Sequence, residues 1–245
     1  MAMRIESAGK TDVGLVREKN EDSMLLEPGL GLYVVCDGMG GHVGGQVASQ
    51  LAVATIGEVL SNDAPTLTGD ETDRLATAIR CANSAVFAKA KAEPTLHNMG
   101  TTVVAIRQDN DLLHLCHVGD SRIYRLRGGK LEQVTRDHSL INLYEDNPEL
   151  ASRFGPPNSN VIVRAVGLRE AVDVDHRVIA LESGDMYLLC CDGLTDMVDD
   201  WMLQEMLSDG TEGSLEDCVD ALVRAALSNG GVDNTTVIVL RIHES

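Results

Sequence analysis

The sequence predicts an α+β fold built on antiparallel sheet, and three observations carry that expectation. Short apolar runs, "LYVVCD", "TTVVAIR", "LLHLCHVGD", "RIYRLR", "MYLLCCD" and "TTVIVLRI", are rich in β-branched residues and bounded by turn residues, as strands are. The stretch "RIYRLRGGKLEQVT" reads as a hairpin with Gly128-Gly129 at its turn, because paired glycines tolerate the positive φ that such turns require. Helical patterns fall between groups of strands rather than after each one, which argues against a regular βαβ alternation.

The elements follow in order. Residues 46–60 carry Val47, Leu51 and Ala54 on one helical stripe, and 73–92 place Leu75, Ile79, Ala82, Val86 and Ala90 at spacings of three and four. Near the end, "SLEDCVDALVRAALSNG" opens with a capping box from Ser214 to Asp217 and continues through Val219, Leu222, Val223 and Ala226. Gly230 is placed to stop it. The segment "HSLINLYEDNPELASRFGPPNSN" has loop-like ends and room for a short helix, and reads as a mobile flap. With no clear linker and no repeat, residues 1–245 are expected to form a single domain.

A chain of 245 residues that is 44% hydrophobic can bury a sizeable core, and with 3% aromatics that core is mostly aliphatic. The net charge of −18 argues against nucleic acid or an anionic membrane as partner, since both need a basic patch. It also requires that an anionic substrate be drawn in by something local, such as a bound cation. The six cysteines form no C-x-x-C pair and mostly fall inside apolar runs, so a disulfide framework is not expected. The N-terminus has no apolar core of a signal peptide and no stretch reaches membrane-spanning length, so a cytoplasmic location is expected.

The stretch "YVVCDGMGGHVGGQVAS" invites a phosphate-loop reading, which fails on chemistry. Gln46 and Val47 stand where a Walker loop needs Lys and Ser or Thr, and Val43 stands at the third glycine of a dinucleotide fingerprint. A metal-ligand reading fares better. "VVCDG" ends an apolar run on Asp37, "LCCDG" does the same on Asp192, Asp120 follows "LLHLCHVG", and Asp233 precedes "NTTVIVL". Ionised carboxylates at such positions are costly unless neutralised, and only Arg122 is close in sequence. Oxygen donors of this kind suit Mg²⁺ or Mn²⁺, whereas no Cys or His stands at zinc-ligand spacing. Each Asp-Gly alone is equally an ordinary turn, and spacing does not show whether the four meet.

At this point the chain resembles the bacterial branch of the metal-dependent Ser/Thr protein phosphatases, the PPM or type 2C family. Eight stretches carry the likeness in family order: "TDVGLVREKNED", "VVCDGMGGHVGGQVAS", "GTTVVA", "HVGDSRIYRL", "TRDHSL", "NVIVRAVG", "SGDMYLLCCDGLTDMV" and "GGVDNTTVIV". The resemblance implies a four-layer α-β-β-α sandwich, two antiparallel sheets flanked by helices. It implies two to three divalent ions, Mn²⁺ or Mg²⁺. Asp37 would bridge two of them, Asp192 and Asp233 would hold one, and the Gly38 carbonyl would serve the other. Glu21 and Asp22 match acidic positions acting at that second ion directly or through water, and Asp120 matches a ligand of a third, weaker ion.

In the mechanism so implied, the paired ions lower the pKa of a bridging water, whose hydroxide attacks phosphoserine or phosphothreonine in line. Arg17 matches the family's phosphate-binding arginine, with a fork that grips two oxygens at once. Its alternative is an exposed Arg pairing with nearby acids. His42 is placed either to protonate the departing oxygen or to hydrogen-bond metal-bound water. His114, His117, His138 and His176 read as structural because none sits in a constellation. The flap, about 138–166, departs from the bacterial pattern at Pro156, where a His is common. Cys191 replaces a frequent Ser and Thr235 a frequent apolar residue, with ligand geometry expected intact. The expected partners are phosphorylated Ser/Thr proteins and a cognate kinase or its targets, with a monomer as the family default. The alternative is a catalytically weak phosphoprotein-binding regulator of the same fold, which a lost metal Asp would signal.

Overall fold

The computed structural model describes residues 3–40, 43–61, 71–147, 149–150, 153, 155 and 161–244. Two five-stranded antiparallel sheets form its centre. The first runs β1 (Met3–Asp12), β12 (Thr235–Glu244), β11 (Met186–Cys190), β8 (Arg122–Arg127), β9 (Lys130–Gln133). The second runs β10 (Asp175–Ala180), β7 (Leu112–Val118), β6 (Val103–Asp109), β3 (Leu32–Cys36), β2 (Ser23–Glu27). A short pair, β4 (Gly38–Met39) with β5 (Gly100–Thr101), extends from the second sheet's end.

The central strands β3, β11 and β12 are apolar on both faces because both faces are covered. In β3, Tyr33 and Val35 point between the sheets while Leu32, Val34 and Cys36 point to the helices α1 (Gly44–Ser61) and α2 (Glu71–Ala92). In β12, Ile238 and Leu240 face the other sheet while Val237 and Val239 face α5 (Asp200–Asp209) and α6 (Leu215–Ser228). Two short helices, α3 (Leu140–Asp146) and α4 (Asp192–Thr195), lie outside these layers in sequence. The result is the four-layer α-β-β-α sandwich.

Every one of the six apolar runs became an interior strand: β3, β6, β7, β8, β11 and β12. In the two five-stranded sheets the strands without such a run, β1, β2, β9 and β10, are the edges. In β1 only Ala8 is buried, and in β10 only Ile179. An edge strand has one neighbour and a wetter surface, so its composition carries less of the apolar signal. The hairpin β8–β9 turns at Gly128 (φ 56°) and Gly129 (φ 75°), as expected.

The stripe expected on the first helix needs correction. In α1 the buried residues include Ala48, Ser49, Ala52, Val53, Ile56 and Leu60, while Val47 and Leu51 are only partly covered and Ala54 is exposed. The small residues Ala48 and Ala52 face inward because they let the helix approach closely, so the buried face is rotated from the one marked by the larger side chains. In α6, by contrast, Val219, Leu222, Val223 and Ala226 are buried as expected. Ser214 caps that helix by accepting from the Asp217 N–H at 3.3 Å, and it ends at Ser228, two residues before Gly230. The flap begins with α3, capped by Ser139, and returns where Ser139 pairs with Ile162. Its Pro156 lies outside the described residues.

Candidate active site

The acidic residues named above hang from the ends of strands in both sheets. Asp37 follows β3. Its N–H donates to Oγ1 of Thr102 at 3.0 Å, and its carbonyl accepts from the Thr102 N–H and the Thr101 hydroxyl, each at 2.8 Å. With its backbone pinned on three sides, its carboxylate has little freedom to retreat. Asp192 opens α4 immediately after β11, Asp233 precedes β12, and Asp120 follows β7. Asp37, Gly38, Asp192 and Asp233 line one cleft of about 610 Å³, with Arg17, Glu21 and Ile162 on its walls.

Gly38 is required by packing: a Cβ there would fall 2.2 Å from the Gly45 carbonyl oxygen and 2.5 Å from that of Glu21. Glu21 and Asp22 occupy different depths. The Glu21 carboxylate reaches the cleft, 2.2 Å from where a Cβ on Gly45 would stand. Asp22 is buried behind it and accepts from the Thr236 hydroxyl at 2.6 Å. Asn234 ties the segments together: its side-chain amide donates to the carbonyls of Val13 and Lys19 at 2.9 Å, and its Oδ1 accepts from the Glu21 N–H at 2.8 Å.

Burial first, and then mutual repulsion, raises the carboxyl pKa values. Burial, then the charges of Asp22 and Asp192, holds Asp37 well above the usual carboxylate range. Burial also pushes Asp22 up to about 7, and burial with the charge of Asp192 pushes Asp120 up to about 7. Oδ1 of Asp120 is buried without a hydrogen-bond partner among the described residues. Arg122, the basic residue nearest in sequence, does not answer this need, because it is spent on Asp137 through Nε at 3.0 Å and Nη2 at 2.7 Å. Arg17 does arrive in the cleft, where its Nη2 donates to Oδ2 of Asp233 at 2.5 Å. Arg17 thus pairs with an acid far away in sequence, inside the cleft.

Together these features fit a hard divalent cation. The donors are oxygens, one buried oxygen lacks a partner, and burial without positive charge is what raises the carboxyl pKa values. Cys191 brings its Sγ within 4.8 Å of the carboxylates of Asp22 and Asp37, a neighbour the sequence reading treated as a silent replacement. Burial holds its thiol far above the ordinary range, and Sγ donates to the Asn234 carbonyl at 3.4 Å while accepting from the Thr236 N–H at 3.1 Å. Spacing gave no sign of Asn234 or the Thr101-Thr102 pair as supports, because their role lies in backbone groups distant in sequence. His42 lies outside the described residues.

The ground for reading two histidines as structural needs correction: His117 and His138 do sit in a constellation, their rings stacked at 4.6 Å and grouped with the Asp175 carboxylate. The β7–β10 pairing sets Asp175 opposite His117, and the His138 N–H bond to the Gly119 carbonyl brings in the second ring.

The protein phosphatase 2C family model matches residues 17–229. The chain belongs to the protein phosphatase 2C family. It is 39% identical over 234 residues to the serine/threonine protein phosphatase PstP of Mycobacterium tuberculosis, covering 95% of this chain and 44% of PstP. The chain therefore spans less than half the length of that relative. It is 34% identical over 237 residues to the serine/threonine phosphatase stp of Listeria monocytogenes, covering 94% of this chain and 93% of stp. Among solved structures, the catalytic domain of PstP in complex with two manganese ions superposes with a TM-score of 0.85 at 36% identity, covering 99% of this chain and all of that one. In this phosphatase 2C chain the two sheets meet at the acidic cleft, which joins strand ends from both.

Proposed function

We propose that the protein is a metal-dependent protein serine/threonine phosphatase. The observation that carries this reading is the convergence of Asp37, Asp192 and Asp233 on one cleft with Arg17 at its wall. The family membership and the relatives' names support the same reaction class.

Divalent ions bound there, Mn²⁺ or Mg²⁺ and two to three in number, would act as Lewis acids and make water a nucleophile near neutral pH. The two manganese ions in the PstP catalytic domain support that choice. Asp37 would be shared between two ions, Asp192 and Asp233 would hold one, and the Gly38 carbonyl the other. Asp120 would serve a third. Glu21, which reaches the cleft, is the better placed of the acidic pair to act there; Asp22 would orient its neighbours from behind.

The remaining work falls to this chain's own groups. Arg17 binds two phosphate oxygens of phosphoserine or phosphothreonine, exchanging Asp233 for substrate. Water adds to phosphorus as the bond to the serine or threonine oxygen breaks, and His42 supplies that oxygen's proton. A binding regulator without turnover would favour loss of a metal Asp, and all four are present. The substrates would be phosphorylated proteins, a cognate kinase or its targets among them. We place it in the cytoplasm as a monomeric single domain; among the described residues no helix is long and apolar enough to cross a membrane.

The test is Mn²⁺-dependent release of phosphate from a phosphothreonine peptide, with Asp37→Asn as control. Turnover by the wild type that the control lacks supports the reading; equal rates for the two sink it.

A further inference from the structure

Beside the turn that carries Asp120, a polar cluster is built on His138. Its main-chain N–H donates to the Gly119 carbonyl at 2.9 Å, and the Gly119 N–H returns a bond to Nδ1 of the ring at 3.0 Å. A ring nitrogen that accepts carries no proton, so the neutral ring holds its hydrogen on Nε2. That hydrogen faces Oδ2 of Asp175, 3.4 Å away. Nη1 of Arg164 also lies 3.0 Å from Nε2, but it has Asp175 and the Asp173 carbonyl as acceptors, so it does not dictate the tautomer.

The pair of bonds matters because of what Gly119 precedes. Gly119 has φ 107°, and a Cβ there would fall 2.7 Å from the Thr102 side chain. Thr102 is the residue that receives the Asp37 N–H, and its hydroxyl also meets Ser121 at 2.7 Å. The turn of Gly119, Asp120 and Ser121 is therefore wedged between Thr102 on one side and His138 on the other. His138 also reaches the flap: its carbonyl accepts from the Val163 N–H at 2.9 Å, beside Ile162 on the cleft wall. His117 supports it by stacking, with its own Nε2 held 3.0 Å from the Arg136 carbonyl.

We propose that His138 is a positioning residue: by accepting the Gly119 N–H through Nδ1, it fixes the turn that delivers Asp120 to the acidic cluster and links that turn to the returning arm of the flap. This rests on reading the cleft as a metal centre. The cluster itself is not an ion site. The two rings stack with 16° between their planes, so their in-plane lone pairs do not converge, and the Arg164 cation already occupies Asp175.

The experiment compares Mn²⁺ binding by calorimetry, and phosphopeptide kinetics, in wild type, His138→Ala, His138→Asn and Asp37→Asn. The Asn side-chain oxygen can accept the Gly119 N–H where Nδ1 does; Ala cannot. His138→Ala is expected to bind Mn²⁺ about tenfold more weakly at its weakest site, within the range for residues that orient ligands. Its kcat falls while its KM for peptide holds, and His138→Asn recovers most of both. Wild-type-like binding in His138→Ala, or equal damage in both variants, overturns the proposal while leaving the metal centre standing. If wild type takes up no more Mn²⁺ than Asp37→Asn, the metal reading and this inference fall together. Should His138→Ala not fold, long-range ¹H–¹⁵N spectra of the wild-type ring decide: a bare Nδ1 supports the assignment and a protonated Nδ1 overturns it.

Discussion

Nη2 of Arg17 lies 2.5 Å from Oδ2 of Asp233, so the guanidinium that would grip phosphate rests on a carboxylate of the same cleft. The pair is substantially exposed, with side-chain exposures of 55% and 33%, so it contributes little to folding. Removing Arg17 therefore separates binding from stability. Arg17→Ala is expected to raise the KM for a phosphopeptide about 10- to 100-fold, the scale of a lost charged hydrogen bond. The midpoint of a urea melt should move by less than about 1 kcal/mol equivalent. Steady-state kinetics and that melt check both halves.

The raised carboxyls make metal-free stability fall with pH. A group whose folded-state pKa exceeds its ordinary value near ~3.9 stays protonated longer in the fold than in the unfolded chain. Its stabilising contribution is complete below about pH 4 and is lost as pH climbs through the folded value. For Asp120 that value is about 7. The metal-free protein should lose stability between pH 5 and 7.5 through this group, and Asp120→Asn should flatten the trend. Urea melts of both proteins in chelator measure the difference.

Adding Mn²⁺ should supply the missing positive charge. At a hundred times the dissociation constant, one ion adds about 2.7 kcal/mol of stability by mass action. Chelator should remove both that increment and the phosphatase activity, and Asp37→Asn should show neither. Thermal melts with and without Mn²⁺, run beside activity assays, test this; an increment that persists in Asp37→Asn would place the ion elsewhere.

Two glycines should respond unequally to the same change. A Cβ on Gly38 meets the backbone of Gly45 and Glu21, whereas one on Gly29 meets nothing within 4 Å. Gly38→Ala should cost about 1–3 kcal/mol or more from overpacking against atoms that cannot swing aside. Gly29→Ala should stay within about 0.5 kcal/mol. Denaturant midpoints of the two variants give the comparison.

Far along the first sheet, Arg127 grips the buried Asp185 through Nε at 2.7 Å and Nη2 at 2.5 Å, and also pairs with Glu182. The Asp185 side chain is 1% exposed, so removing its partner strands a buried charge. Arg127→Met should destabilise by about 3 kcal/mol. In a chain of this size that corresponds to roughly 6–12 °C in Tm, measurable by calorimetry.

What could be read in advance divides along burial. Interior strands such as β3 and β12 announce themselves because water touches neither face, so "LYVVC" and "VIVL" are apolar without interruption. β1 does not, because it borders solvent and buries only Ala8. The acidic residues could be named one by one from their places beside apolar runs, and their family resemblance supplied the rest. Their convergence could not be read from spacing, since it depends on how two sheets dock. Asn234 and Thr102 escaped for a related reason: each grips main-chain atoms, and main-chain atoms leave no mark in a sequence. The His117–His138 stack was missed because a main-chain bond from His138 to Gly119, not a sequence pattern, holds the second ring beside the first.

The cleft draws one part of its acid set from each sheet, Asp37 and Glu21 from the ends of one and Asp192 and Asp233 from the ends of the other. Any ion seated there would act as a rivet across the seam. A nascent chain that has not yet made β12 lacks both Asp233 and the Asn234 clamp, so the centre cannot assemble piecemeal during synthesis. Catalytic competence would then arrive in one step, with closure of the sandwich, and half-made molecules would remain inert toward phosphoproteins around them.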